Sequence, residues 1–238
     1  MGRNNYFQFK QFRITQEHSA MKVGTDGVLL GAWVNVSKAS SILDIGAGTG
    51  VISIMAAQRS CATVIGIEIE ENAANEAAEN AGNSPWNNRI SILHTTFQAF
   101  SETCTEQFDL IVSNPPFFTN SQKSKSKLLA IAKHNHLLPL SDLVEGAEKL
   151  LSRTGTFAVI LPVVQAKELI KKCKAEGLSL CRLTKVRPNN LKPTNRYLME
   201  FIREECTTAV TTLNIHTDKS NGFTEEYKTL TRDFYLNF

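Results

Sequence analysis

The chain has 238 residues and a formal net charge of +3, a length that fits one or two domains. Hydrophobic residues make up 42% and charged residues 21% of the sequence, a composition that excludes an intrinsically disordered protein. The apolar runs are far shorter than the roughly 18 residues of a membrane-spanning helix, and residues 1–11 lack the apolar core of a signal peptide. We therefore expect a cytoplasmic protein that forms one domain over residues 1–238, binds no membrane and needs no obligate protein partner.

Short apolar runs alternate with helical patterns through most of the sequence. The runs predict five buried strands, at residues 41–45, 63–69, 89–93, 108–113 and 156–161. The other patterns predict helices at residues 51–59, 70–81, 140–151 and 165–175, and a final antiparallel strand pair at 178–186 and 197–203. We therefore expect an α/β fold: a mostly parallel, twisted sheet with an antiparallel edge strand and helices on both faces.

The cysteines and histidines do not predict a metal site. The five cysteines are odd in number, and none has Cys-x-x-Cys spacing, so we expect reduced structural thiols without a disulfide framework. His134 and His136 are two residues apart, a spacing that points side chains away from each other on a helix.

Charge is distributed unevenly along the chain. Residues 39–120 carry nine acidic and two basic side chains, whereas residues 121–203 carry sixteen basic and six acidic ones. An acidic block followed by a basic block suggests two ligands, one that tolerates acidic surroundings and one that is polyanionic. A solvated lysine-rich surface is the simpler alternative.

A glycine-rich turn joins the first predicted strand to the first predicted helix. It reads Asp44-Ile45-Gly46-Ala47-Gly48-Thr49-Gly50. Glycines let a backbone turn sharply close to a ligand, and the turn presents N–H groups at a helix N-terminus. At the end of the second strand, Glu68 can accept hydrogen bonds from both hydroxyls of a ribose. These features predict a nucleoside site; a tight turn beside a surface Glu is the alternative.

Spacing and charge indicate which nucleoside cofactor binds there. The pattern Gly46-x-Gly48-x-Gly50 departs from the Gly-x-Gly-x-x-Gly of a dinucleotide site, whose pyrophosphate favours positive surroundings. An acidic site suits S-adenosylmethionine, which carries an ammonium and a sulfonium group. The segment resembles the first motif of the Rossmann-like, S-adenosylmethionine-dependent methyltransferases. By that resemblance, Asp44, Gly46, Gly48 and Gly50 flank the amino-acid part of the cofactor, and Glu68 binds its ribose.

The same resemblance assigns roles to two residues after the third strand. In similar enzymes this position supplies an Asp for the adenine amino group and an apolar side chain for the adenine ring. Phe97 fits the second role, and Thr96 offers only a hydroxyl in place of the Asp. Ordinary core packing is the alternative for Phe97.

The sequence Asn114-Pro115-Pro116-Phe117 follows the fourth predicted strand. Ligands of open α/β sheets bind at the carboxyl ends of such strands. The Asn114 side-chain oxygen and the Pro115 carbonyl can accept the two hydrogens of an exocyclic base amine, and the prolines restrict the backbone. Phe117 offers a face on which a base can stack. We therefore expect Asn114, Pro115 and Phe117 to be catalytic, with Asn114 also beside the cofactor; a rigid turn is the alternative.

Flanking segments narrow the range of possible substrates. Enzymes with such a motif methylate adenine in DNA or RNA, guanine in ribosomal RNA, or glutamine in release factors. Together with this motif, residues 12–16, 21–33, 187–188 and 233–236 resemble the bacterial valine-tRNA adenine-N(6)-methyltransferase family over nearly the whole chain. The resemblance implies a class I, Rossmann-like methyltransferase fold and methyl transfer to the exocyclic amine of the adenine next to the anticodon.

The N-terminal segment also takes its expected role from this resemblance. Residues 1–38 would close over the cofactor, with Gln16, Lys22, Gly24 and Thr25 over its methionine part. The alternative is an amphipathic entry helix at 28–33 that Thr25 or Asp26 caps, and the two readings are compatible.

Basic residues that follow the Asn-Pro-Pro-Phe segment predict contacts with tRNA. The candidates are Lys123, Lys125, Lys127, Lys133, Arg187, Lys192 and Arg196. Phosphate contacts would position the tRNA while the pocket reads the base, and a single-stranded adenine swings out at lower cost than one in a duplex. We expect residues 119–138, rich in Ser, Lys and Asn, to form a mobile basic loop.

Three other functions stay open from the sequence. The first is methylation of another amino group, in ribosomal RNA guanine, DNA adenine or protein glutamine. The basic block argues against protein glutamine as the substrate. The second is a nicotinamide-dependent oxidoreductase, and the third is a non-catalytic RNA-binding module.

Overall fold

A hairpin and a central eight-stranded sheet contain the strands of the structure, a computed structural model that describes residues 5–19, 21–116, 138–218 and 222–238. The strands are β1 (Tyr6–Gln8), β2 (Arg13–Thr15), β3 (Ser41–Ile45), β4 (Thr63–Glu68), β5 (Ile90–His94), β6 (Phe108–Ser113), β7 (Leu151–Pro162), β8 (Ser179–Arg187), β9 (Arg196–Ile202) and β10 (Ala209–Asn214). The helices are α1 (Thr25–Trp33), α2 (Val51–Arg59), α3 (Glu71–Gly82), α4 (Phe97–Thr103), α5 (Leu140–Leu150), α6 (Val163–Ala175) and α7 (Glu225–Thr231). A single turn of 3-10 helix, Asn87–Arg89, precedes β5.

The strand order of the central sheet is β10-β8-β9-β7-β6-β3-β4-β5. β9 is antiparallel to its neighbours β7 and β8, and the other pairings are parallel. The predicted α/β class, with its mostly parallel sheet and the antiparallel pair towards one edge, is confirmed. β10, which the sequence patterns did not predict, adds alongside β8 and forms that edge.

Helices cover both faces of the sheet because its central strands bury side chains in both directions. In β3, Ile42 belongs to one hydrophobic cluster with residues of α1 and α2, whereas Leu43 and Ile45 belong to a second cluster with residues of α4, α5 and α6. Continuous apolar runs are typical of such doubly covered parallel strands. Within the described ranges, no helix is long and apolar enough to cross a membrane, and no group of three or more potential ligands could hold a metal ion.

The predicted strands and helices agree with the structure to within two residues, with two exceptions. Helix α1 begins three residues before the expected entry helix, and β7 begins at Leu151, directly after α5. The three-residue strands β1 and β2 and the seven-residue helices α4 and α7 were not predicted. Elements of this length hold too few residues to establish a hydrophobic period.

Helix α1 differs from the expected amphipathic entry helix in its N-cap and in its burial. It begins at Thr25 with Gly24 as its N-cap residue, and no side chain caps it. Thr25 and Asp26 therefore lie inside the helix, and the Asp26 carboxylate instead pairs with Arg196 at 2.8 Å. Residues 27–33 are all buried, so α1 has no solvent face and is a core helix.

The strand order creates a crevice between β3 and β6. From β3 the chain runs outward through β4 and β5, and it then returns to β6 on the other side of β3. At such a switch point the loops that follow the two strands diverge and leave room for a ligand. Ile45 pairs with Ser113 at the ends of these strands, so the glycine turn and Asn114 both begin at this crevice.

One glycine tests how tightly the second cluster is packed. A Cβ added at Gly146 of α5 would lie 2.5 Å from Cε1 of the buried Phe97 ring. We expect Gly146→Ala to lower the free energy of unfolding by about 1–3 kcal/mol, because the ring must shift in a packed core. Urea unfolding measures this, with Gly82→Ala as the control, since a Cβ there meets nothing within 4 Å. Equal stability of the two variants would contradict close packing of the Phe97 ring against Gly146.

Candidate active site

The glycine turn after β3 adopts a backbone that only glycine takes up easily. Gly46, Gly48 and Gly50 have φ values of 75°, 56° and 79°, in the left-handed region. A Cβ added at Gly46 or Gly48 would meet nothing within 4 Å, whereas one at Gly50 would lie 3.3 Å from Ala77 of α3. The first two glycines therefore leave an open cradle, and the third lets α2 and α3 approach each other.

Glu68 connects this turn to the end of β4. Its Oε2 accepts a hydrogen bond from the Gly48 N–H at 2.8 Å, and its Oε1 accepts from the N–H groups of Ile69 and Glu70 at 2.9 and 3.0 Å. A carboxylate has about four acceptor sites on its two oxygens. Glu68 thus braces the cradle and keeps capacity to accept hydrogen bonds from a ligand.

Asp44 is a fully buried acid just before the turn. The Ser53 hydroxyl of α2 donates to Oδ2 at 2.6 Å, while Oδ1 has no hydrogen-bond partner within the part of the chain described. Burial raises the pKa of Asp44 to about 6, although its hydrogen bonds with Ser53 act in the opposite direction. At neutral pH the site therefore holds a buried negative charge with one unpaired oxygen, which favours a cationic ligand.

Asn114 stands on the other side of the crevice with its acceptor unpaired. Its Oδ1 is buried and has no hydrogen-bond partner among residues that the structure describes. The position where a Cβ of Gly27 would project lies 3.9 Å from Asn114 Nδ2 and 3.5 Å from Val51 Cγ1. α1 therefore packs beside the Asn114 amide. The next residue, Pro115, is buried.

The four N-terminal residues predicted to cover the cofactor lie before or at the start of α1. Gln16 is 6% exposed, and its Oε1 accepts a hydrogen bond from the Val23 N–H at 2.9 Å. Lys22 is half-buried, Gly24 is the N-cap residue, and Thr25 is the exposed first residue of the helix. Gly24 and Thr25 lie within three residues of Gly27 and therefore near Asn114, whereas Gln16 is eleven residues away along the chain.

Thr96 and Phe97 each have a structural role, and the expected adenine contacts stay a prediction. The Thr96 hydroxyl accepts the Ala99 N–H at 3.1 Å and caps α4. Phe97 is 5% exposed and belongs to the second hydrophobic cluster. The Phe97 ring packs against Gly146 of α5, so core packing contributes to its role.

Three of the predicted basic residues lie at the same edge of the sheet as Asn114. Arg187 ends β8, Arg196 begins β9, and Lys192 is exposed in the loop between them. Two of the three have partners within the chain: Arg187 Nε donates to Thr194 Oγ1 at 3.4 Å, and Arg196 Nε pairs with Asp26. Arg196 therefore holds the start of α1, a role that the charge pattern did not predict.

Several other predictions fall outside the described residues. They concern Phe117, Lys123, Lys125, Lys127 and Lys133, the pair His134 and His136, and almost all of the loop expected at residues 119–138.

Sequence reasoning also missed residues that build the site. Ser53 orients Asp44, and Gly27 of α1 lies beside the Asn114 amide. Glu76 and Asn80 of α3 are buried at 3% and 2% exposure and contact the N-terminal segment. Their signal in the sequence is two polar residues, four apart, on a helix face that is otherwise alanine.

The raised pKa of Asp44 predicts how stability changes with pH. The unfolded chain loses this proton near pH 3.8 and the folded chain near pH 6, so the contribution of Asp44 to stability falls as pH rises between these values. We expect Asp44→Asn to gain up to about 3 kcal/mol relative to the unsubstituted protein between pH 4 and pH 7. Urea unfolding without added cofactor measures the difference. Asp218→Asn, at an exposed position, is the control, and a pH-independent difference for Asp44→Asn would refute the expectation.

Comparison with known proteins identifies relatives along the whole chain. Residues 18–173 match the family model of the methyltransferase small domain. The tRNA1(Val) (adenine(37)-N6)-methyltransferase of Trichodesmium erythraeum is 45% identical over 237 residues, which cover 98% of this chain and 99% of the relative. A protein of the same name from Histophilus somni strain 2336 is 42% identical over 241 residues and 100% of both chains.

Solved structures support the same fold. A predicted O-methyltransferase from Agrobacterium tumefaciens has a TM-score of 0.71 at 21% identity and covers 88% of this chain and 96% of its own. The glycopeptide N-methyltransferase MtfA in complex with S-adenosyl-L-methionine has a TM-score of 0.55 at 12% identity, with 77% and 100% coverage. The expected class I methyltransferase fold is therefore confirmed. The chain belongs to the methyltransferase small-domain family and, within it, to the family of the tRNA1(Val) (adenine(37)-N6)-methyltransferases.

Proposed function

We propose that this protein transfers a methyl group from S-adenosylmethionine to the exocyclic amino nitrogen of an adenine in tRNA. The observation that carries the proposal is the buried Oδ1 of Asn114, which no other described residue pairs with, at the switch point of the sheet and next to the open glycine turn. The relatives, at 45% and 42% identity over nearly the whole chain, are named for adenine 37 of a valine tRNA. That adenine is the substrate we propose, and tRNA as substrate supports a cytoplasmic location.

The residues of the glycine turn fit the proposed cofactor. S-adenosylmethionine, when bound, supplies a methyl group on a positively charged sulfur, which is already activated for transfer. The unpaired Oδ1 of Asp44 would accept a hydrogen bond from its ammonium group, and Gly46 and Gly48 leave room for its amino-acid part. Glu68 would accept hydrogen bonds from the ribose hydroxyls. Residues 1–38 are proposed to close this side of the single domain, with Gln16, Lys22, Gly24 and Thr25 nearest the cofactor.

Asn114 and Pro115 are proposed to orient the target amine. The lone pair of an adenine amine is delocalised into the ring, which makes the nitrogen a poor nucleophile. Asn114 Oδ1 would accept one amine hydrogen and the Pro115 carbonyl the other, which turns the lone pair towards the methyl group. The rate gain then comes from orientation, and the amine proton can leave to water after transfer. Phe117 is proposed to stack on the base.

The RNA is proposed to bind along the edge of the sheet that carries Arg187, Lys192 and Arg196. This edge also carries Asn114, so phosphates of the same RNA can lie within reach of both. Lys123, Lys125, Lys127 and Lys133 are included because they follow the catalytic segment in the sequence. Of the three residues that the structure describes, Lys192 is the most exposed, and it is therefore the best single test.

The activity is tested by mass spectrometry of nucleosides from tRNA after incubation with labelled S-adenosylmethionine. We expect N(6)-methyladenosine at one position of the anticodon loop. Asn114→Ala should lower kcat at least about 100-fold, because the amine loses one of its two acceptors, while tRNA affinity stays within about twofold.

Asn75→Ala, at an exposed position of α3, is the matched control and should keep full activity. Unchanged turnover of Asn114→Ala would contradict the proposed role of Asn114 in orienting the amine. Binding of NAD without binding of S-adenosylmethionine, measured by calorimetry, would instead favour an oxidoreductase.

Lys192 provides a test of the proposed RNA surface. We expect Lys192→Glu to weaken tRNA binding and to reduce the slope of log Kd against log salt concentration by about 1, because one phosphate contact is lost. Lys38→Glu is the control, since Lys38 is exposed just before β3, at the opposite edge of the sheet. Identical salt slopes for the two variants would show that Lys192 does not contact phosphate.

A further inference from the structure

Glu76 and Asn80 of α3 fasten the N-terminal segment to the glycine turn. Both side chains are buried, at 3% and 2% exposure, and they lie one helical turn apart on the same face of α3. The other buried side chains of this helix are alanines, which pack without directional bonds. The two polar side chains can therefore form hydrogen bonds with the N-terminal segment, which the alanines around them cannot do.

Glu76 binds three consecutive backbone N–H groups of the N-terminal segment. Oε1 accepts from Glu17 at 2.5 Å and from His18 at 2.9 Å, and Oε2 accepts from Ser19 at 2.9 Å. Burial raises the pKa of Glu76, but the hydrogen bonds from residues 17–19 outweigh this effect and hold the pKa below its ordinary value. The carboxylate is thus ionised at neutral pH, and its hydrogen bonds are charge-assisted.

Asn80 bridges the N-terminal segment and the turn itself. Its Oδ1 accepts from the Thr15 N–H at 2.8 Å, and its Nδ2 donates to the carbonyl oxygens of Thr15 at 2.9 Å and Thr49 at 3.0 Å. Thr49 lies between Gly48 and Gly50. One amide therefore sets the distance between the end of β2 and the cradle of the cofactor site.

Gln16 lies between the points that Asn80 and Glu76 hold. Its own Oε1 accepts the Val23 N–H, so Gln16 ties residue 23 to the part of the segment that Asn80 and Glu76 hold. Residues 15–19 and 21–23 are the N-terminal loop. We infer that Glu76 and Asn80 are positioning residues that hold this loop ready to close over the methionine part of S-adenosylmethionine. This inference rests on the proposed function, and neither residue needs to touch the cofactor.

Variants of equal size separate this role from simple packing. Glu76→Gln replaces one acceptor oxygen with an N–H donor that faces a backbone N–H, and Asn80→Asp places an oxygen against two carbonyl oxygens. We expect each to raise the Kd and the KM for S-adenosylmethionine about tenfold, because the closed loop becomes a minor state. The KM for tRNA should change by less than about twofold. Calorimetry and steady-state kinetics measure these values.

Matched controls come from the same helix. Glu79→Gln and Asn75→Asp make the same chemical changes at exposed positions and should leave all of these values unchanged. A wild-type cofactor Kd for Glu76→Gln and Asn80→Asp would overturn the inference, as would an equal rise in the KM for tRNA. If the unsubstituted protein does not bind S-adenosylmethionine, the proposed function fails instead.

A measurement on the unsubstituted protein covers the case in which these variants do not fold. Because ligand binding and loop closure are linked, a bound cofactor must stabilise the closed loop. We expect hydrogen exchange of the N–H groups of residues 17–19 to slow at least about fivefold when S-adenosylmethionine is added. Unchanged exchange at saturating cofactor would refute the inference without any variant.

Discussion

The parallel pairing of β3 with β6 determines the geometry of the site. Ile45 and Ser113 are partners at the ends of these strands, and the Ser113 hydroxyl donates to the Ile45 carbonyl at 2.9 Å. The next residues after the two strands are Gly46 and Asn114, so the glycine turn proposed to bind the cofactor starts beside the amide proposed to bind the base. A slip of this register by one residue would reverse the face to which every side chain of the strand points, and the site would be lost together with the core.

Two buried oxygens that have no hydrogen-bond partner among the described residues define the opposite sides of the crevice. Asp44 offers a charged acceptor and Asn114 a neutral one, which matches a cationic donor on one side and an uncharged base on the other. An unsatisfied buried acceptor costs roughly 1–3 kcal/mol. The folded protein loses this much stability at two neighbouring positions. A bound ligand that donates hydrogen bonds to both oxygens removes the penalty, so the same two oxygens that destabilise the protein without ligand increase its affinity for the ligand.

Residues at the ends of strongly patterned strands, or directly after them, could be placed from the sequence. Asp44 and Asn114 belong to this group, because continuous apolar runs locate strand ends well. Phe97 could not be assigned, since an apolar side chain after a strand can face either a ligand or the core, and its partner Gly146 comes from a distant helix. Glu76 and Asn80 bind residues 57 to 65 positions earlier in the chain, and no local pattern reveals such contacts.

The burial of α1 limits how a small molecule can reach the cradle. Swinging this helix away would expose Val28, Leu29 and Leu30, which are fully buried, at a cost of roughly 1.5–3 kcal/mol for each side chain. The helix is therefore fixed in place, and among the described residues on this side the stretch before Gly24 is the segment that can move to admit a ligand. The rate of exchange of the used cofactor for a new one would then depend on the movement of about ten residues, without any rearrangement of the hydrophobic interior.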